Sequence, residues 1–451
     1  MPILASANFI YVNGIKELQK VIRGGLCNRC GACVGLSQGK IVFGNKEERY
    51  LPQIKEAPDP ETTDIVLKAC SGRAFDFPEN RKHFFGEETP HHPYTGPFRS
   101  ISIGFCTDPA IRLNAASGGI ISALLVYLLR TGAIKGAVVL GMSKEKPWLT
   151  EPFIATTEEE ILSAAQSKYI ISSVNEILPQ IGAFNGKLAY VGLPGQVQSI
   201  RALQKMEHPW VRNIEYVFGP FYGNTLHFSS VRSFLRSYGE KDHTQIEKLY
   251  FRHGEWPGNM RVELKSGRVL QLKKFHANYL IPFHIVKNSL ICTDLTNEFT
   301  DVSGGDAWAP VYEERGKGFS MVIARSARGE ALLNKMQQDG FLDMSPITLE
   351  ESIEMHSHGY DLKKRGAFIR IRFMKMLGMK VPDYGYRLKG FGFGRYIMEV
   401  FIDMLFLLAS TRFARYVVES IPPGRIGRLF EKARNIWKKS TFSIKRKNLL
   451  F

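Results

Sequence analysis

Three cysteines fall within seven residues, in Leu26-Cys27-Asn28-Arg29-Cys30-Gly31-Ala32-Cys33-Val34. The whole chain of 451 residues holds only six. A disulfide framework spreads its cysteines along a short secreted chain, whereas clustering in a long one points to metal or redox chemistry. Three thiolates at this spacing converge on one iron–sulfur cluster. Gly31 suits the sharp turn and the aiming of backbone N–H groups at the sulfurs. The fourth ligand must come from elsewhere, and Cys70, in Ala69-Cys70-Ser71-Gly72, is the natural candidate. The alternative is structural zinc. Zinc usually takes two separated cysteine pairs, which one tight triple plus a distant cysteine fits poorly, although softness alone does not separate the two metals. Cys106, in the strand-like ISIGFCTD, reads as a buried small hydrophobe.

The length is enough for two or three compact units, each with its own core. With 44% hydrophobic and 23% charged residues the composition is globular. No apolar run reaches about 18 residues, so no spanning helix is expected. The start, MPILASANFIYVNGIKELQK, lacks a basic segment followed by an apolar block, so a cytoplasmic location is expected. Net charge is +17, but residues 361–451 carry 21 Lys/Arg against 6 Asp/Glu. The remaining 360 residues carry 39 against 37, so the basicity belongs to the C-terminal segment and bears on partners rather than on fold.

Residues 1–95 read as a small irregular unit without a long periodic helix. Beyond it, Ser117-Gly118-Gly119 opens the apolar helix IISALLVYLLRTG, closed by Gly132. The strand GAVVLGM, a helix at Glu158–Leu162, the strand LAYVGLPGQ and the helix VQSIRALQK follow. This alternation predicts an α/β layer with a parallel or mixed sheet. IEYVFGPF, MRVELKSGRVLQL and FSMVIARS read as further strands, with a hairpin turn at Ser266-Gly267. The fold class is therefore mixed α/β, with a cysteine-bearing arm (1–95), an α/β core (96–345, divided near 212) and a helical basic extension (346–451).

Several blocks in order carry a family resemblance. They are the Cys27–Cys33 loop, Ala69-Cys70-Ser71-Gly72, Ala116-Ser117-Gly118-Gly119, Ser167-Lys168-Tyr169, Val191-Gly192-Leu193-Pro194, Trp256-Pro257-Gly258 and Ser303-Gly304-Gly305-Asp306-Ala307-Trp308. Across roughly residues 20–345 the sequence resembles the coenzyme F420 hydrogenase/dehydrogenase beta-subunit family. The resemblance implies an FAD beside a 4Fe–4S cluster and electron exchange between a ferredoxin-like or hydrogenase partner and a small molecule, in some members coenzyme F420. Two-cluster relatives use further cysteines. The matching segments here hold Gly195, Tyr222, Ser289 and Cys292, so a second cluster is not expected. The loss motivates a rival reading, a non-catalytic scaffold in polysaccharide synthesis, against which all four primary cysteines are retained.

The resemblance also assigns the flavin site. Ser117, Gly118 and Gly119 at a helix start suit the FAD pyrophosphate, though alone they read as a capping turn. Arg112 and Asn114 lie just upstream. Ser167, Lys168 and Tyr169 join a hydroxyl, an ammonium and a ring, and Lys168 is the candidate to stabilise charge on a reduced flavin, the alternative being a surface lysine beside a core tyrosine. Pro194 and Gln196 stand at a strand-to-helix turn, where open α/β sheets bind ligands. Asp306 offers a carboxylate to a ribityl hydroxyl or to a turn. Trp308 reads as packing, and His91 and His92 as loop residues.

In the extension, YIMEVFIDMLFLLAS (396–410) carries Glu399 and Asp403 four apart, which marks an amphipathic rather than a spanning helix. After Pro422-Pro423-Gly424, RIGRLFEKARNIWKKS makes a second, basic helix. It suits the anionic inner face of a membrane, a protein partner, its own copy, or plain solvent. No nucleic-acid recognition motif accompanies the charge.

Overall fold

The computed structural model describes residues 14–312 and 316–443. The first 13 residues, part of the start read for a leader, and residues 444–451 of the basic extension lie outside them.

The cysteine loop runs into a short helix α1 (Ala32–Leu36), and Cys70 caps the end of helix α2 (Pro60–Ala69). Helix α2 is regular because Asp59 accepts from the Thr62 N–H at its start and Pro60 occupies its first position. With Phe77–Phe85 also helical, the arm is more ordered than its irregular pattern suggests.

An eight-stranded mixed sheet forms the centre. In chain order its strands begin with β1 (Ser100–Cys106), β2 (Gly136–Met142), β3 (Thr150–Ala155), β4 (Leu188–Val191) and β5 (Ile214–Pro220). A separate antiparallel sheet follows, of β6 (Ile246–His253), β7 (Asn259–Leu264) and β8 (Val269–Lys273), with Gly267 at positive φ in the expected hairpin turn. The large sheet is completed by β9 (Val302–Asp306), β10 (Ser320–Ala324) and β11 (Leu342–Pro346), in the order β11-β1-β10-β9-β5-β4-β2-β3. The four central strands β9, β5, β4 and β2 are parallel and the outer pairings antiparallel.

Alternation along these strands divides the core in two. Val138, Leu188, Tyr190 and Val217 face the arm and helix α5 (Pro194–Lys205), packing with Leu36, Val66, Phe77 and Val197. Ala137, Val139, Ala189 and Phe218 face the other way, onto helix α3 (Ile120–Arg130) through Leu124 and Leu128. The arm thus shares its core with the sheet rather than burying one of its own. Cys106 is fully buried in β1, as a small hydrophobe should be.

The extension is helical as expected. After α6 (Ala367–Met376) come α7 (Phe393–Ala409), α8 (Arg412–Glu419) and α9 (Pro423–Ser440). Among the described residues no helix is long and apolar enough to cross a membrane.

Candidate redox centre and cofactor cleft

Cys27, Cys30, Cys33 and Cys70 wall one small cavity, with Leu18, Val21, Ile22 and Val66 behind them. The loop reaches this shape because Gly31 sits at φ 93°, and a Cβ there would meet Ser173 Oγ at 2.0 Å. Asn28 ties the two cysteine segments together: its Oδ1 accepts from the Cys30 N–H at 3.0 Å, and its Nδ2 donates to Ser71 Oγ at 2.7 Å. Arg29 donates to the Cys27 carbonyl at 2.8 Å.

Backbone N–H groups point at the sulfurs, from Gly31 and Ala32 to Cys30, from Val34 to Cys33, and from Gly72 and Arg73 to Cys70. Ser199 adds a hydroxyl donor to Cys30 Sγ at 3.4 Å. Burial pushes the Cys27 thiol up to about 11 and the Cys70 thiol up to about 12. Burial and the three neighbouring thiols raise Cys33 well above the ordinary range. Such a set deprotonates when a cation shares the cavity. Among the described residues no three His, Cys, Asp or Glu side chains close on a single ion site.

A polar chamber adjoins this cavity. Asn28, Arg29 and Ser71 wall it on the cysteine side, and Ser172, Leu193, Gln196, Tyr222 and Thr225 on the other. The positions expected to have lost a second cluster converge here. Gly195, Tyr222 and Cys292 line the chamber, and Ser289 Oγ lies 2.6 Å from the Tyr222 hydroxyl. Cys292 alone among them keeps a sulfur.

Ser172, Leu193, Gln196, Tyr222 and Thr225 also line a cleft of about 1190 Å³. It opens at the carboxyl ends of β4, β5 and β9, where the parallel part of an α/β sheet binds ligands. Most of the residues expected at a flavin meet there: Ser117, Gly119, Ser167, Lys168, Tyr169, Gln196 and Asp306. Gly119 begins α3 at φ 81°, leaving that helix start open to the cleft.

Four expected residues do not line it. The Arg112 guanidinium lies 3.6 Å from the centre of the Phe105 ring and donates to the Gly318 carbonyl. Asn114 Nδ2 donates to the Leu162 carbonyl at 3.0 Å. The Gly118 N–H is taken by Ser320 Oγ at 2.9 Å. Pro194 is buried in the first turn of α5. Others line the cleft with their polar atoms engaged. Lys168 Nζ donates to the carbonyls of Ala164, Ala165 and Gln166 just after helix α4 (Glu158–Ser163), and burial pulls its pKa down to about 7. Gln196 accepts from the Leu193 N–H and donates to the Ser172 carbonyl.

Asp306 is held by a partner the sequence did not suggest. Arg252, almost wholly buried on β6, meets it at 3.0 Å and also reaches the Ala116 carbonyl and the Tyr169 hydroxyl. Trp256 Nε1 donates to the same carboxylate at 2.8 Å. Burial alone would raise the Asp306 carboxyl, but Arg252, Lys274 and Trp256 together outweigh it and hold it below the usual range. Burial would likewise raise the Tyr169 phenol, and Lys274 with Arg252 lowers it. Lys274 lies 5.5 Å from the Tyr169 ring and 6.0 Å from Trp308. Burial lowers His356 to about 4, so it is neutral at pH 7, and its Nε2 has no hydrogen-bond partner although the residue lines the cleft. Arg252, Lys274 and His356 carry no motif. Nothing in their local sequence sets them apart from ordinary charged residues of strands and helices.

Comparison with known proteins places the chain among relatives. Residues 101–179 match the family described as coenzyme F420 hydrogenase/dehydrogenase, beta subunit N-term, and residues 185–350 match its C terminus. The coenzyme F420-dependent sulfite reductase of Methanocaldococcus jannaschii is 24% identical over 370 residues, which is 77% of this chain. The match spans 52% of that protein, so the chain corresponds to about half of it. The coenzyme F420 hydrogenase subunit beta of Methanothermobacter thermautotrophicus is 28% identical over 295 residues, 64% of this chain and 99% of its own length. A chain of the F420-reducing NiFe hydrogenase complex from Methanosarcina barkeri shares the fold, with a TM-score of 0.52 at 23% identity, over 66% of this chain and 99% of that one.

Proposed function

The chain belongs to the coenzyme F420 hydrogenase/dehydrogenase beta-subunit family, a family of oxidoreductases, and on that premise we propose an electron-exchange role between a ferredoxin-like or hydrogenase-like protein and a small organic substrate or coenzyme F420. Cys27, Cys30, Cys33 and Cys70 hold a 4Fe–4S cluster in this reading, and the cleft holds FAD. One observation carries it: a cavity walled by four cysteines adjoins a polar chamber, and that chamber shares a wall with a cleft of about 1190 Å³. That volume exceeds the roughly 300–1,000 Å³ of a drug-sized pocket, which suits an extended cofactor with a substrate beside it.

When bound, a 4Fe–4S cluster supplies single electrons, and a flavin supplies the exchange between single electrons and a hydride pair. The protein's own groups prepare the two places. The N–H groups around Cys30, Cys33 and Cys70, with the Ser199 hydroxyl, favour the thiolate forms. Asn28 and Ser71 fix the spacing of the two segments, and Ser71 donates on to the Gly195 carbonyl at 2.6 Å. In the cleft, Ser117, whose hydroxyl pairs with Ser320 Oγ at 2.8 Å, and Gly119 would receive a phosphate at the start of α3. Lys274 supplies positive charge beside the aromatic wall of Tyr169 and Trp308. Lys168 serves by ordering the turn before Tyr169, not as a free cation.

The test is turnover by the anaerobic protein, with reduced methyl viologen as donor and coenzyme F420 reduction followed by absorbance. Turnover is expected, and Lys274→Met should lower kcat about 100-fold, the scale of losing one preorganised charge partner. A protein carrying iron and FAD but inert toward coenzyme F420 would assign it to another substrate. A protein with neither would restore the scaffold reading.

A further inference from the structure

We infer that the outer face formed by α7, α8 and α9 rests on the surface of an anionic lipid bilayer. Helix α7 is turned inside out. Its charged stripe, Arg395 and Glu399, faces the protein and is buried, pairing with Asp361 and Arg370. Its outer face is apolar: Phe393 is 81% exposed, Leu407 69% and Leu408 63%, with Ile397, Phe401 and Met404 between them. Scattered exposed hydrophobes are ordinary, but a continuous stripe on one helix marks an interaction surface. The amphipathic character expected from Glu399 and Asp403 is therefore present with its faces reversed relative to a helix packed against a core.

The charges identify the occupant. Residues 393–440 contain four acidic side chains, and all are paired: Glu399 and Asp403 with Arg370, Glu419 with Arg236, Glu431 with His276. Arg412, Arg425, Arg428, Lys432 and Lys439 remain exposed. The Phe401 and Trp437 rings stack at 5.6 Å, so the apolar stripe of α7 and the basic helix α9 form one surface. An apolar strip rimmed by cations, on helices too short and too charged to span, lies in the plane of a negatively charged interface. A second copy would bring the same positive charge against itself. These helices lie beyond residue 350, where the family match ends.

The experiment is flotation of the full chain with vesicles of phosphatidylcholine alone or mixed with phosphatidylglycerol. The protein should float with the mixed vesicles and be released by high salt. Arg425→Gln/Arg428→Gln, which alters two exposed side chains and no apolar contact, should weaken binding about fivefold per charge removed. Leu408→Asp should weaken it further. Three results would overturn the inference: no flotation with either vesicle, flotation unaffected by these variants, or a dimer in solution that Leu408→Asp splits.

Discussion

Replacing Cys33 by serine is expected to strip the purified protein of iron, from about four atoms per chain to about one or none. Serine supplies no thiolate, and at this position the missing charge faces the three other cysteines. The control is Cys292→Ser. That thiol lines the chamber with Gly195 and Tyr222, not the cavity, and donates to the Asp294 carbonyl at 3.7 Å. It should keep the full iron content. Because metal binding is also folding free energy where a site is assembled by folding, Cys33→Ser should lower the thermal midpoint as well. Iron and midpoint unchanged in Cys33→Ser, or iron lost equally in both variants, would contradict the four-cysteine assignment.

The second large effect is expected at Asp306. Asp306→Ala leaves the buried Arg252 guanidinium without its carboxylate and removes the acceptor of Trp256, a loss of about 3–5 kcal/mol for breaking one side of a buried pair. Asp306→Asn keeps an acceptor for Trp256 and should cost less. The pH dependence follows from the lowered carboxyl pKa. The contribution of Asp306 is present above the unfolded carboxyl value of about 3.9 and is lost as pH falls through the lower folded value. Urea midpoints of parent and Asp306→Ala should therefore differ at pH 7 and converge in acid. A constant difference down to pH 2 would show that the carboxylate charge is not what stabilises the site.

The parts of the molecule that follow local rules were legible in the text. The helix after Gly119 and the central strands depend on turn glycines and short apolar runs and lie where the sequence places them, and Cys70 meets the cysteine triple at one cavity. What was hidden depends on contacts distant in the chain. Arg252 reads as an ordinary basic residue in IEKLYFRH, yet the fold brings it to Asp306, 54 positions away. Arg112 sits beside the right motif, but Phe105 and the Gly318 carbonyl capture it. Lys168 is in the right triplet and spends its ammonium on three backbone carbonyls. The gathering of Gly195, Tyr222, Ser289 and Cys292 around one chamber joins segments almost a hundred residues apart. The period of α7 correctly marks an amphipathic helix, but periodicity does not say which face meets the protein. Buried Arg370 and Arg395 decide it by drawing Glu399 inward.

The most direct test of the redox assignment is anaerobic purification, with absorbance spectra before and after dithionite and analysis of metal and released flavin on the same sample. The account predicts a broad visible band that bleaches on reduction, about four irons per chain and bound FAD. One zinc per chain, or no metal, together with no flavin would contradict it.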